Sequence, residues 1–265
     1  MTTTADIDAF RGGVNDLSTL AFREVNNLLS FLGDADPVTI RNSLVQMLPE
    51  VIRPYITASG NLAATWYEDL RAAAVGGTFY ATASGELNKV RLDALVGYGV
   101  QPLFGQSTST VLSLLGGGVQ RMIAGASRDT IYDNVMSDRV RVGFTRIPRA
   151  GCCAFCGMLA SRGAVYRSES SAGGVVGRGV DASVTRGKVG GQGKGVKARG
   201  GRALGENKYH DFCHCVAAPV FAGDTFHQET QAKFNEMYLE TGGIVNGATN
   251  AKATLASWRE VHGTK

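Results

Sequence analysis

Arg139-Val-Arg-Val-Gly-Phe-Thr-Arg-Ile-Pro-Arg-Ala-Gly-Cys-Cys-Ala-Phe-Cys-Gly157 is where the chain changes character. Upstream of it, apolar residues recur at three- and four-residue steps. From Arg139 to Arg149 they alternate with polar ones, the period of a half-buried strand. Three of the five cysteines follow at once, Cys152, Cys153 and Cys156. All four charges of the alternating run are Arg. A basic strand edge of that kind suits a solvated face, an acidic partner or a phosphate backbone.

The residues before this run read as helices. Ile7, Phe10, Val14, Leu17, Ala21, Val25, Leu28 and Leu32 lay one apolar stripe along the first. Gly12-Gly13 weakens its early turns, at about 1 kcal/mol per Gly relative to Ala. Asp36-Pro37 is a start signal, an N-cap acid followed by Pro at the first helical position. The helix after it presents Ile40, Leu44, Met47, Leu48 and Val51, and Pro49 and Pro54 are expected to limit or kink it. A separate segment with Leu62, Trp66, Leu70 and Ala73 is expected to end at Gly76-Gly77. Glu86–Val96 reads as a further helix. The apolar run Val111–Ile123 is expected to break at Gly116-Gly117-Gly118, with Ser127-Arg128-Asp129 opening a short new helix.

Composition bounds the rest. A chain of 265 residues suggests one large domain or two ordinary ones. Its 44% hydrophobic and 19% charged content is globular. Glycine is the outlier, 35 residues against a usual ~7%. No apolar run reaches the ~20 residues of a membrane span. The first residues carry acids where a signal peptide carries a basic segment, so an intracellular product is expected. The formal net charge of +4 is unevenly spread. Residues 168–208 hold 8 Lys/Arg and 3 Asp/Glu, 12 glycines and no aromatic, while the remainder is nearly neutral. Such a stretch buries too little apolar surface to offset its ordering entropy, so a long flexible basic loop is expected.

The cysteines carry the chemistry. Cys153-x2-Cys156 lets two thiolates from one tight turn reach one metal ion, with Gly157 as the permissive residue of that turn. His210-x2-Cys213-x-Cys215 supplies the other half. Together these soft ligands favour tetrahedral Zn2+ with Zn–S near ~2.3 Å. The competing readings of such cysteines are a redox pair, disulfides and a nucleophile. The chain lacks a thioredoxin-like βαβ pattern, an even cysteine count and a secretion signal, and a nucleophile needs no such crowd of thiols. Cys153 and Cys156 are the firm ligands, while His210, Cys213 and Cys215 compete for two places. With Cys213 and Cys215 expected on opposite faces of their segment, Cys215 with His210 is preferred and Cys213 kept close behind. Cys152 is expected to point away and His214 to face solvent. The 53 residues from Cys156 to His210 exceed the spacing of a nucleic-acid-reading finger.

The run Arg146-Ile-Pro-Arg-Ala-Gly-Cys-Cys-Ala-Phe-Cys-Gly-Met-Leu-Ala-Ser-Arg-Gly163, with Tyr209-His-Asp-Phe-Cys-His-Cys215, resembles the MuF-like head morphogenesis family of tailed bacteriophages, in the form found in actinobacterial phages. The family's second motif reads His-Pro-Asn-Cys-Arg-Cys. Asp211-Phe212 here replaces Pro-Asn and His214 replaces Arg, while His210, Cys213 and Cys215 match. The resemblance covers about 140–220. It implies a minor capsid protein of the phage head, present in host cytoplasm during assembly. Its implied partners are the portal and/or the major capsid protein, with packaged DNA nearby and neither a membrane nor a small-molecule substrate. Related phage genes are also labelled capsid maturation proteases. That alternative needs Cys152 or Cys153 free of metal, and the chain has no Gly-x-Ser-x-Gly and no Ser-His-Asp order, so no catalytic residue is assigned.

The expected architecture is therefore mostly α. An elongated helical domain, residues 1–138, contacts portal or shell. A zinc-stapled α+β domain, 139–222, carries the Gly-rich basic loop 168–208. Val216–Phe221 reads as its closing strand. C-terminal helices, 223–265, follow from a cap at Asp224-Thr225, with Trp258 packed on its own domain. In the loop, Arg178, Arg186, Lys188, Lys194, Lys197, Arg199 and Arg202 form a candidate for sequence-independent phosphate contact. Without aromatics to stack on bases, base readout is not expected. The plain alternative is a spacer, since loop closure costs only about 0.6 kcal/mol more per doubling of length.

Overall fold

The computed structural model describes residues 2–140, 142–161, 211–241 and 251–264. Among them the protein is mostly helical, with seven α-helices, one 3-10 turn and a two-stranded sheet. Helix α1 spans Thr4–Leu32. Thr3 and Asp6 close a reciprocal capping box at its start. The sequence stripe is its buried face, from Ile7 and Phe10 to Val25 and Leu28. Gly13 lies inside this helix, where a Cβ would stand 2.9 Å from Leu62 Cδ2. The missing side chain lets α1 and the next helix approach closely.

Helix α2 spans Pro37–Val75 without interruption. Asp36 Oδ1 accepts from Val38 N and Thr39 N, as the start signal requires. Two expectations are corrected here. Pro49 and Pro54 do not end the helix, and the segment with Leu62 and Trp66 is its continuation. Leu44, Leu48, Ile52 and Ile56 are buried on one face across both prolines. Burial of that face outweighs the lost backbone hydrogen bonds, because tertiary packing overrides local propensity.

Helix α3, Lys89–Gly99, starts three residues later than the pattern suggests and runs into the 3-10 turn Gln101–Phe104. Helix α4, Val111–Ser137, is the second correction of continuity. Gly116-Gly117-Gly118 does not break it, and Ser127-Arg128-Asp129 lies inside it. The three glycines face three different neighbours. Gly116 meets Phe22, Gly118 meets Leu95, and Gly117 meets Asp211 and Phe212. Glycine is used for close approach on three sides of a central helix, not for a stop.

Strand β1, Gly143–Ile147, pairs antiparallel with β2, Val216–Val220, in register Gly143↔Val220 to Ile147↔Val216. Both lie within the alternating or apolar runs read as strands. One apolar core joins α1, α2 and α4 to both strands through Phe10, Tyr67, Ile131, Phe144 and Val216. A second core fills the space between α1, α2, α3 and α4.

Helix α5, Ala154–Ala160, follows β1, and α6, Phe226–Glu240, and α7, Ala251–His262, follow β2. A small core of Ala154, Met158 and Trp258 joins them, with Phe234 and Met237. Trp258 is buried there and stacks on Phe234, as expected of a residue packed on its own domain. Gly157 is helical, and a Cβ on it would lie 2.7 Å from Trp258 Cζ2. Its role is space for the tryptophan, not the turn freedom expected of it.

Candidate metal centre

Helix α4 builds the platform. Gln120 and Arg128 are eight residues apart, two turns along one face. Gln120 Nε2 donates to Cys213 O at 3.1 Å. Arg128 Nη2 donates to Cys213 O at 2.8 Å and to Cys215 O at 2.7 Å, and Arg128 Nε to Cys215 O at 3.0 Å. The chain enters this clamp through a turn in which Phe212 takes φ 60, the left-handed region. Gly117 leaves room for that turn. A Cβ there would stand 2.9 Å from Asp211 Cβ and 3.0 Å from Phe212 Cε2. Arg121 of α4 pairs with Asp211 at 3.2 Å on the outer side.

Held in this way, Cys213 and Cys215 turn both thiols inward. Cys156, in the first turn of α5, meets them. The Sγ atoms of Cys156, Cys213 and Cys215 all lie within 4.8 Å of one another, and Cys156 Sγ is 3.7 Å from Cys213 Sγ. The three residues are 1–3% exposed. The expectation that Cys213 and Cys215 diverge is overturned. Residues two apart on an extended chain share a face, so the motif presents both thiols together.

Cys153 is the N-cap residue of α5, and its side chain makes no capping bond. Its thiol instead hydrogen-bonds with Cys156. It borders the three-thiol group, half-buried, together with Cys152. Cys152 therefore does not point away, as expected of it, but packs against the cluster. His214 does not face solvent freely either. It is half-buried, and its Nδ1 lies 2.7 Å from Asn15 Oδ1 of α1. His210 and the basic-loop residues Arg178, Arg186, Lys188, Lys194, Lys197, Arg199 and Arg202 lie outside the described residues.

The thiols perturb one another strongly. Hydrogen bonds with Cys156 and Cys215 hold Cys213 far below the usual thiol range, and the Arg128 charge acts in the same direction. Hydrogen bonds with Cys153, Cys213 and Cys215, with burial, push Cys156 up. The Cys156 hydrogen bond pulls Cys215 down, but its bond to Cys213, burial and the Cys213 charge outweigh it and push Cys215 up to about 12. Burial pushes Cys152 up to about 11. The cluster thus favours one thiolate served by neighbouring S–H donors. A divalent ion would displace those remaining protons.

The donor set fits a soft ion. A tetrahedral site with Zn–S of ~2.3 Å has an S···S edge of roughly 3.8 Å, close to the Cys156–Cys213 separation. Arg146 completes the surroundings. It was read as part of a basic, half-solvated strand edge, yet it is 2% exposed. Its Nη1 lies 3.8 Å from Cys156 Sγ, and its guanidinium stands 5.8 Å over the Phe155 ring. Arg146 of this strand thus has the Cys156 thiol as one of its neighbours. The sequence reading missed Arg146, Arg128 and Gln120 as parts of the site. The one usable signal was a charged residue, Arg128, amid the apolar positions of α4.

The VG15 protein family matches residues 1–241, a span that includes α1 to α6 and both halves of the cysteine cluster. The chain belongs to the VG15 protein family. It is a phage protein by that membership. No curated protein and no solved structure matches it. Among the described residues of this VG15 protein, no helix is long and apolar enough to cross a membrane.

Proposed function

We propose that the protein is a structural assembly component of a tailed-phage head, a MuF-like minor capsid protein stapled by a Zn2+ ion. The thiol cluster carries this reading. Cys156 is brought to Cys213 and Cys215 across 57 positions of chain, at the junction of α4, α5 and β2. All three thiols face one another in the interior instead of a cleft. Buried soft ligands that tie distant segments together are what a closed structural zinc site requires. The phage family membership supports the setting, and the MuF-like motif supports the head. Portal and major capsid protein are the partners this reading names.

A Cys/His maturation protease is the competing reading. It is disfavoured by burial of Cys156, Cys213 and Cys215, and by the raised pKa of Cys152, which keeps that thiol protonated at neutral pH. Three experiments test the proposal. Metal analysis of purified protein is expected to find one zinc per chain, and protein that takes up no zinc would reject the staple. Co-expression with the major capsid protein is expected to leave that protein uncut. Cross-linking in intact virions is expected to recover portal or capsid protein. Contact with packaged DNA is tested separately, by deleting 168–208 and measuring retardation of duplex DNA at low salt.

A further inference from the structure

The thiols that converge in the interior also meet in pairs. We infer that Cys156 and Cys213 form a disulfide when the cluster is oxidised, so that a covalent bond takes over the tie between α5 and the segment before β2. It rests on the thiol geometry that carries the metal-binding reading, and it adds a redox response to that site. On the head-protein reading, the chain is made in a reducing cytoplasm and released into oxidising surroundings, so both states are used.

Geometry and loop length select the pair. Cys156 Sγ and Cys213 Sγ stand 3.7 Å apart across 57 positions of chain. Bond formation needs a further approach of about 1.7 Å, within reach of side-chain rotation. A Cys153–Cys156 bond would close a loop within the first turn of α5, and Cys213–Cys215 a loop of neighbouring residues. A bond between distant positions removes far more freedom from the unfolded chain. Cys215 lies as far along the chain as Cys213, but it adjoins Val216, which is fixed in register with Ile147. Cys213 instead adjoins the turn at Phe212, outside the sheet, where the backbone has more room to give.

The border thiols supply the entry. Cys156, Cys213 and Cys215 are 1–3% exposed, whereas Cys152 and Cys153 are half-buried at the edge of the cluster. Cys153 hydrogen-bonds with Cys156, and Cys156 touches Cys213. These three sulfurs form a chain from border to interior. The oxidant is a low-molecular-weight disulfide, R–S–S–R. The Cys153 thiolate attacks one of its sulfurs, a Cys153–S–R bond forms, and R–S− leaves with the proton that Cys153 gave up. Cys156 attacks the Cys153 sulfur, and the second R–S− leaves with the Cys156 proton. Cys213 then attacks the Cys156 sulfur, and Cys153 leaves as a thiolate that takes the Cys213 proton. Two protein thiols are oxidised and one external disulfide is reduced to two thiols.

The test exposes the full chain, metal-free and zinc-loaded, to glutathione disulfide without oxygen. Titration in denaturant is expected to count all five thiols before oxidation and, with two consumed, three after. Peptide mapping with fragmentation is expected to join Cys156 to Cys213. Zinc-loaded protein is expected to form the same bond more slowly and to release its ion as it does. Cys153→Ser is expected to slow the bond by about tenfold or more, as attack falls to buried sulfurs. A final bond at Cys153–Cys156, Cys156–Cys215 or Cys213–Cys215, or no intramolecular bond, overturns the inference, and if zinc is bound that failure leaves the metal reading standing. A chain that forms Cys156–Cys213 but takes up no zinc keeps the inference and overturns the metal reading. The wild-type map decides the bond even if the variant fails to fold, and an unaltered rate in folded Cys153→Ser overturns the border route.

Discussion

Arg128 Nε and Nη2 both donate to the carbonyl oxygen of Cys215, at 3.0 and 2.7 Å, across 87 positions of chain. The same Nη2 also reaches Cys213 O. One guanidinium on α4 thus holds the backbone that presents two of the cluster's thiols. Arg128→Met keeps a long apolar stem and removes every one of these donors. Cys213 O keeps its bond from Gln120 Nε2, but Cys215 O loses both Arg128 donors, and a buried carbonyl left short of a partner costs about 1–3 kcal/mol. The variant is expected to unfold at lower urea, and Arg128→Lys to recover little, since an ammonium cannot fork between two carbonyls. Urea melts followed by circular dichroism measure both. A wild-type midpoint in Arg128→Met would show that the clamp is not needed.

Gly117 and Gly12 make a matched pair of substitutions. Both are helical. At Gly117 a Cβ would crowd Asp211 and Phe212, at 2.9 and 3.0 Å. At Gly12 it would meet nothing within 4 Å. Gly117→Ala is expected to destabilise by about 1–3 kcal/mol by pushing the turn off α4. Gly12→Ala is expected to stabilise by up to about 1 kcal/mol through helix propensity. Thermal melts of the two variants, side by side, should move in opposite directions.

Metal removal is expected to loosen the cluster before it loosens the bundle. The helices α1 to α4 share their own apolar core, with Leu44, Leu92 and Ile123 among its residues. The joint of α5 and the segment before β2 depends on the thiols. A chelator is therefore expected to lower the melting temperature, and hydrogen exchange to rise first in 153–160 and 213–216. Ligand linkage sets the size, about 4 kcal/mol for an ion present at a thousand times its Kd. Uniform loss of protection across α2 and α4 would contradict this order.

Asp138 gives a pH dependence. Burial raises its pKa, but hydrogen bonds from Arg71, Val140 N and Tyr67 together outweigh that and hold it below the usual carboxylate range. Arg71 Nε and Tyr67 Oη reach Asp138 Oδ2 at 2.7 and 3.0 Å. A carboxylate whose folded pKa is depressed contributes stability above its unfolded pKa, near ~3.9, and loses it as pH falls through the folded value. Asp138→Asn is expected to be less stable than wild type at pH 7. That gap should narrow as pH falls below about 4. Urea midpoints of both proteins over this range measure it, and a gap independent of pH would mean that the carboxylate charge plays no part.

Local chemistry made much of this protein legible without coordinates. The stripe from Ile7 to Leu28, the Asp36-Pro37 start, the alternating run around Phe144, the closing strand from Val216 and the two cysteine groups are short-range patterns. Each follows from a period or a cap whose physics is contained in a few neighbouring residues. The helical class and the thiol cluster are direct consequences of them.

Other features depended on partners far away in the chain. Pro49, Pro54 and the glycines at 116–118 are local stop signals, and only the packed core decides that α2 and α4 continue through them. A proline costs a backbone bond anywhere, but how much burial repays it depends on what lies opposite. Three adjacent glycines read as a break until Phe22, Phe212 and Leu95 are seen to occupy the space they leave. Arg146 and Arg128 are cations in the sequence; in the fold the first lies against Cys156 Sγ and the second holds the Cys213 and Cys215 carbonyls. Sequence alone determined which residues have the chemistry to bind a soft ion. Tertiary structure decided that Cys156, Cys213 and Cys215 converge, and that Arg128 and Arg146 are buried beside them, because convergence is a property of distance, which a linear pattern does not contain.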